Sequence, residues 1–171
     1  MITHCAVNTK CIPPDDCELQ RTDIQGLEAS LFLFHLGGSR SASSIKEQTN
    51  NLDRTKVFET RRAMVGQVDV GIKLLQDGDL DAYGLLLHEA WLLKKTLASK
   101  ISSDVIDAYY QKGLEAGALG GKLAGAGGGG FLLFYCPPRA QQFFLAAMSE
   151  LRRIPLCLEF NGSREIHVSD E

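Results

Sequence analysis

The segment Lys122-Leu123-Ala124-Gly125-Ala126-Gly127-Gly128-Gly129-Gly130 runs straight into Phe131-Leu132-Leu133-Phe134-Tyr135-Cys136, and this junction restricts the fold more than any other feature of the chain. Glycine has no Cβ, so a run of it lets backbone N–H groups turn toward a ligand's oxygens and approach closely without steric penalty. A flexible glycine linker is expected between polar, solvated ends. Here the flank is aromatic and bulky apolar residues that suit a buried strand, so an ordered loop between two strands is the reading that fits. The run lacks the Gly-Lys-Ser/Thr ending of a Walker phosphate loop and the strand-to-helix setting of Gly-x-Gly-x-x-Gly. Taken alone, it specifies an anion site or a close backbone approach.

Periodicity orders the rest of the chain. Residues 1–26 mix Cys, Pro13-Pro14 and Asp15-Asp16 without a helical or strand period and read as an irregular lead-in, leaving 27–171 as one domain. Leu31-Phe32-Leu33-Phe34-His35-Leu36 ends at Gly37-Gly38, the pattern of a buried strand running into a turn. Ser44 with Glu47 fits a capping box, so a helix starts near Ser43 or Ser44; Phe58, Val65, Val68, Ile72 and Leu75 continue it, as one helix or two in line, to Asp77-Gly78. Further helices are predicted over 80–99, with Tyr83, Leu87 and Trp91 on the apolar stripe, over 103–113, and over 138–153, with Phe144, Met148 and Leu151 buried. Leu156, Leu158 and Phe160 alternate, Asn161-Gly162 suits a tight turn, and Ile166 and Val168 alternate again, predicting a closing hairpin. The order strand, helices, strand, Gly loop, strand, helix, hairpin favours an α+β two-layer sandwich, an antiparallel sheet with helices on one face.

A second anion-friendly element is the junction Gly37-Gly38-Ser39-Arg40-Ser41-Ala42. Free N–H groups at a helix start attract anions, and a guanidinium grips phosphate bidentately. Both candidate elements lie at strand ends and can converge. His4, His35, His88 and His167 show no partnership with a serine or cysteine, and no covalent nucleophile or catalytic residue is assigned. His4 with Cys5, Cys11 and Cys17 lacks the short spacers of structural zinc sites. Asp77, Asp79 and Asp81 lack the later glutamate of a calcium loop and read as a turn followed by an acidic helix start. No metal ligands are assigned.

With 171 residues, 44% of them hydrophobic, the chain is long enough to bury one sizeable core. Its net charge of -3 gives no general attraction for a polyanion, so nucleic acid is not an expected partner. No apolar segment has the length of a membrane span, and the first residues do not open a signal peptide, which makes the cytoplasm the expected location. Five cysteines, two of them inside predicted strands, argue for reduced thiols.

The segment Lys122 to Gly130 with the following strand resembles the third motif of the GHMP kinases, the superfamily of galactokinase, homoserine kinase, mevalonate kinase and phosphomevalonate kinase. Arg40-Ser41-Ala42-Ser43 after a strand and two glycines, Asp79-Leu80-Asp81 leading to Leu86-Leu87 and Trp91, and Gly120-Gly121-Lys122 running into the Gly motif are similar to the C-terminal half of the D-glycero-D-manno-heptose 7-phosphate kinases. The resemblance implies a ferredoxin-like domain and ATP- and Mg2+-dependent phosphorylation of a sugar hydroxyl in a cleft between two halves. It implies that Gly125, Ala126, Gly127, Gly128, Gly129 and Gly130 shape the phosphate side of that cleft, while Arg40, Ser39, Ser41 and Lys122 bind a sugar phosphate. In the family the Pro-x-x-x-Gly-Leu-Gly-Ser-Ser nucleotide loop and the catalytic aspartate belong to an N-terminal half, and nothing here corresponds to it. The expected partners are therefore a phosphorylated sugar, ATP, and either an N-terminal kinase half or a second copy of the chain. The rival expectation is a noncatalytic anion-binding or oligomerisation module of the same fold.

Overall fold

The computed structural model describes residues 21–37, 53–97, 101–125 and 128–158. Within them the order is α1 (Arg21–Ser30), β1 (Leu31–Gly37), α2 (Arg54–Gln76), α3 (Leu80–Lys95), α4 (Asp104–Glu115), β2 (Gly120–Ala124), β3 (Gly130–Tyr135), a 3-10 turn (Pro138–Ala140), α5 (Gln141–Ala147) and β4 (Arg152–Ile154). The sheet order is β2-β3-β1-β4, with every neighbouring pair antiparallel. Helical crossovers join β1 to β2 and β3 to β4, while β2 and β3 are joined by the Gly loop. This is the antiparallel α+β sandwich expected from the element order, in the ferredoxin-like arrangement that the resemblance implies.

Each turn between helices follows from a few residues. The α2 helix begins where Asp53 accepts a hydrogen bond from Thr55 N at 2.9 Å. It ends at Gly78, whose φ of +69° lets Gly78 N reach Leu75 O and Asp79 N reach Leu74 O at 2.9 Å. Asp79 Oδ1 then caps α3 by accepting from Ala82 N at 3.0 Å. Asp77 and Asp79 thus build a turn and a helix start, as the sequence indicates. Among the described residues no group of three or more His, Cys, Asp and Glu is placed to hold a metal ion. The α4 helix closes in the same way at Gly117, where Ala118 N donates to Gly113 O at 3.0 Å.

Alternation along the strands sorts the core. Phe32, Phe34, Leu123, Leu132 and Phe134 point to one face, where Trp91, Ile106, Tyr110, Phe144 and Met148 cover them. The rings meet edge to face: Phe134 and Phe144 centroids lie 5.3 Å apart and Phe34 and Phe144 5.8 Å apart. On the other face Leu31 and Tyr135 meet Leu27 of α1 and Tyr83 and Leu87 of α3. There Tyr135 donates to Asp81 Oδ1 at 3.0 Å, and Arg139 pairs with Asp81 Oδ2 at 2.7 Å. Trp91 is fully buried core, as its place in the apolar stripe predicts. Helix α3 lies directly on β2, with Gly120 facing the Gly84 carbonyl and the His88 backbone. None of the described helices is long and apolar enough to cross a membrane, and Cys136 and Cys157 are free thiols.

Four expectations need correction. Residues 21–26, expected to be irregular, belong to α1; the helix is mostly polar and commits little more than Leu27 to the core, so no stripe announces it. The helix expected over 138–153 is a 3-10 turn followed by α5, which stops at Ala147. Met148 and Leu151 continue the helical spacing because the following turn also packs inward. Arg152 and Arg153 then form an edge strand, where the Arg153 guanidinium lies 4.8 Å from the Phe32 ring centre. Residues 156–158, the described part of the first arm of the predicted hairpin, have no strand. The remainder of that hairpin, including Asn161-Gly162, and the helix start at Ser43 or Ser44 lie outside the described residues. Helix α3 also stops at Lys95 rather than at 99.

Candidate functional site

The Gly-rich loop is held in conformations that a side chain would oppose. Gly125, Gly128, Gly129 and Gly130 have φ of +90°, +75°, +153° and +102°, all in the region that favours glycine. Its near end leaves β2 at Gly125. On its far side Gly128 N donates to Ile101 O at 2.9 Å, tying the loop to a buried residue between α3 and α4. Ala126 and Gly127 lie outside the described residues.

The decisive juxtaposition is across the sheet. Gly130, the last residue of the loop, pairs with Gly37, the last residue of β1. The ladder slips between His35 and Gly37, and Gly37 has a φ of +69°. The last described residue of β1, Gly37, therefore lies beside the end of the Gly loop. Of the second element singled out in the sequence, Gly37 is described, and it shares one sheet end with the Gly loop. Ser39, Arg40 and Ser41 themselves lie outside the described residues.

Lys122 lies on the sheet face away from the aromatic core, opposite Leu133, and is exposed. The same face carries residues that sequence reasoning did not single out. The pairings Arg152–His35, His35–Phe131 and Phe131–Ala124 form one row across all four strands, one step from the Gly37–Gly130 pair. His35 and Phe131 rings lie 5.2 Å apart and both are exposed, Phe131 by 40%. Arg152 stands at one end of this row and Lys122 near the other, so the open end of the sheet offers an apolar ring, an imidazole and two cations. Strand alternation could have placed His35 and Phe131 on one face; only the register brings in Arg152.

His88 illustrates the opposite outcome. Its Nδ1 lies 2.8 Å from Tyr110 Oη, the two rings stack, and Tyr110 in turn donates to Gly121 O at 3.3 Å. Burial raises the Tyr110 phenol well above its ordinary pKa, which keeps it a donor. This histidine is packed and hydrogen-bonded, as the sequence reading holds.

Comparison with known proteins places these features. Residues 72–152 match the sequence profile described as GHMP kinases C terminal. Over these residues the chain resembles the C-terminal domain of the GHMP kinases. Over 123 residues it is 28% identical to the D-glycero-alpha-D-manno-heptose 7-phosphate kinase of Campylobacter jejuni subsp. jejuni serotype O:2, an alignment covering 71% of this chain and 36% of that one. Among solved structures, L. major mevalonate kinase in complex with R-mevalonate superposes with a TM-score of 0.61 at 19% identity, over 72% of this chain and 40% of that one. Streptococcus pneumoniae phosphomevalonate kinase in complex with phosphomevalonate and AMPPNP superposes with a TM-score of 0.56 at 13% identity, over 72% and 39%. The chain thus spans little more than a third of the length of the relatives it matches, and the structural likeness is one of fold.

Proposed function

We propose that this domain forms the phosphate-side wall of a sugar-kinase cleft, acting on a phosphorylated sugar of the heptose 7-phosphate kind. The observation that supports this reading is the Gly37–Gly130 pair, which sets the end of β1, just before Ser39-Arg40-Ser41 in the sequence, beside the end of the Gly loop. Backbone donors in the loop 125–130 then face the phosphate oxygens, while Arg40, Ser39 and Ser41 grip the sugar's own phosphate at the start of the next segment. Phosphoryl transfer is mainly positioning and charge stabilisation, so a rigid wall of this kind contributes without a nucleophile of its own. The exposed row of His35, Phe131 and Arg152 with Lys122 extends the wall toward the sugar.

ATP with Mg2+ supplies the transferable phosphoryl group when bound. The loop suits a polyphosphate on one structural ground: a Cβ built on Gly125 or Gly37 meets nothing within 4 Å, so the backbone there is open to close approach. Most of the nucleotide and the metal would be held by a second kinase half, encoded elsewhere or preceding this segment. The exposed apolar residues Phe58, Val65 and Val68 on α2 favour a partner surface on this domain.

Calorimetric titration of the chain with heptose 7-phosphate tests the reading. Binding weakened at least about tenfold by Arg40→Ala, the loss of one bidentate phosphate contact, is the expected result. Robust ATP turnover by the chain alone, or a sugar-phosphate affinity indifferent to Arg40, contradicts it.

A further inference from the structure

Among the described residues the outermost strand of the sheet on the loop side is β2, so carbonyls on its outer edge take partners other than a described strand. Two side chains supply them. Tyr110 Oη donates to Gly121 O at 3.3 Å, and Lys94 Nζ donates to Leu123 O at 3.1 Å. Lys94 does more than close the edge, because the same ammonium donates to Gly125 O at 2.7 Å. Gly125 is the residue at which the chain leaves β2, and it sits at a φ of +90°.

We propose that Lys94 is a positioning residue for the Gly-rich loop: its ammonium grips the Leu123 and Gly125 carbonyls together and so fixes the direction in which the loop departs from β2. This rests on the reading of that loop as the phosphate-handling wall. A hydroxyl already caps Gly121 without any charge, so edge protection alone does not call for a cation. What the cation adds is a charge-assisted bond, about twice as strong as a neutral one, to a glycine whose own torsions are nearly unrestrained.

The placement is otherwise unfavourable. Lys94 is half-buried, and among the described residues its ammonium has no carboxylate partner; the ion pairs found there are Lys95–Asp107, Lys112–Glu150 and Arg139–Asp81. Burial first, and the nearby Lys122 second, hold its pKa below the ordinary lysine value. The anchor behind it is rigid: Trp91, one turn earlier on α3, is fully buried, and Gly84 and Gly120 seat the helix on the strand. With the Gly128 bond to Ile101 on the far side, the loop is tied at both ends, and Lys94 is the near tie.

Amide hydrogen exchange of the full chain, read by NMR without ligand, tests this. In Lys94→Met, exchange at Gly128, whose N–H is held by Ile101 O, should accelerate at least about tenfold while β1 and β3 amides stay within about twofold. Lys94→Arg, which keeps a charged donor, should recover most of the protection. Tyr110→Phe, which uncaps Gly121 alone, should leave Gly128 unchanged. Should Lys94→Met not fold, Lys94→Gln, uncharged and polar, is read in the same way. Unchanged loop exchange in the neutral variant, or acceleration spread evenly over the sheet, overturns the proposal. Because no ligand is present, either outcome stands apart from whether the loop binds phosphate, which the sugar-phosphate titration decides.

Discussion

Replacing Gly120 by alanine attacks the contact that joins α3 to the sheet. A Cβ there runs into the Gly84 carbonyl oxygen and stands 2.8 Å from His88 N and 2.9 Å from His88 Cβ. Two of these atoms are backbone and the third is fixed to it, so no rotamer change relieves the clash; the helix must lift away from the strand. Helix α3 carries Trp91 into one core layer and Tyr83 and Leu87 into the other, so the displacement loosens both. Overpacking costs about 1–3 kcal/mol, and backbone against backbone puts this site at the upper end, about 3 kcal/mol. For a domain of this size that corresponds to a Tm lower by about 6–12 °C. Urea unfolding measures it as a lower midpoint at unchanged slope. Gly66→Ala is the internal control: the site is exposed on α2 with nothing within 4 Å, and alanine there should stabilise by about 0.5–1 kcal/mol. A Gly120→Ala protein within about 0.5 kcal/mol of wild type would mean that α3 does not lie on β2 as described.

Tyr135 gives a pH-dependent prediction. Burial, then its bond to Asp81, pushes the phenol up to about 12 from 10.0. The neutral form is favoured in the folded state, so this contribution is complete below pH 10 and is lost as pH rises from 10 to about 12. Tyr135→Phe should therefore show a shallower alkaline loss of stability than wild type over that range, measured by urea midpoints; parallel curves would contradict the assignment.

Much of the fold is legible in the residue pattern because the deciding interactions are local. Leu31 to Gly37 is a strand in the structure as in the sequence, for six residues of apolar content and a following glycine leave little else. The β2–β3 hairpin follows from a glycine run between apolar flanks, and its positive φ values match what only glycine tolerates. Helix α1 was hidden because a polar helix with one committed core residue has no period to read. The stop of α5 was hidden for the converse reason, since Leu151 keeps the helical spacing after the helix has ended.

For the site, the sequence singles out two elements but not their neighbourhood. That Gly37 faces Gly130 depends on a register between strands separated by the whole helical insertion. Lys94 is a last-turn lysine of α3, whose bonds to Leu123 and Gly125 join residues 29 and 31 positions away. Likewise the open row of Arg152, His35 and Phe131 exists only once β4 is placed beside β1. Such contacts are tertiary, and no local propensity encodes them.

Backbone amide shifts recorded while heptose 7-phosphate is titrated into the labelled chain test the central claim, that one sheet end handles phosphate. Saturable shifts concentrated at Gly125, Gly128, Gly129, Gly130 and Gly37, and lost in Arg40→Ala, are the predicted result. Shifts that fall elsewhere on the domain, or none at millimolar sugar phosphate while the sheet remains folded, would contradict it.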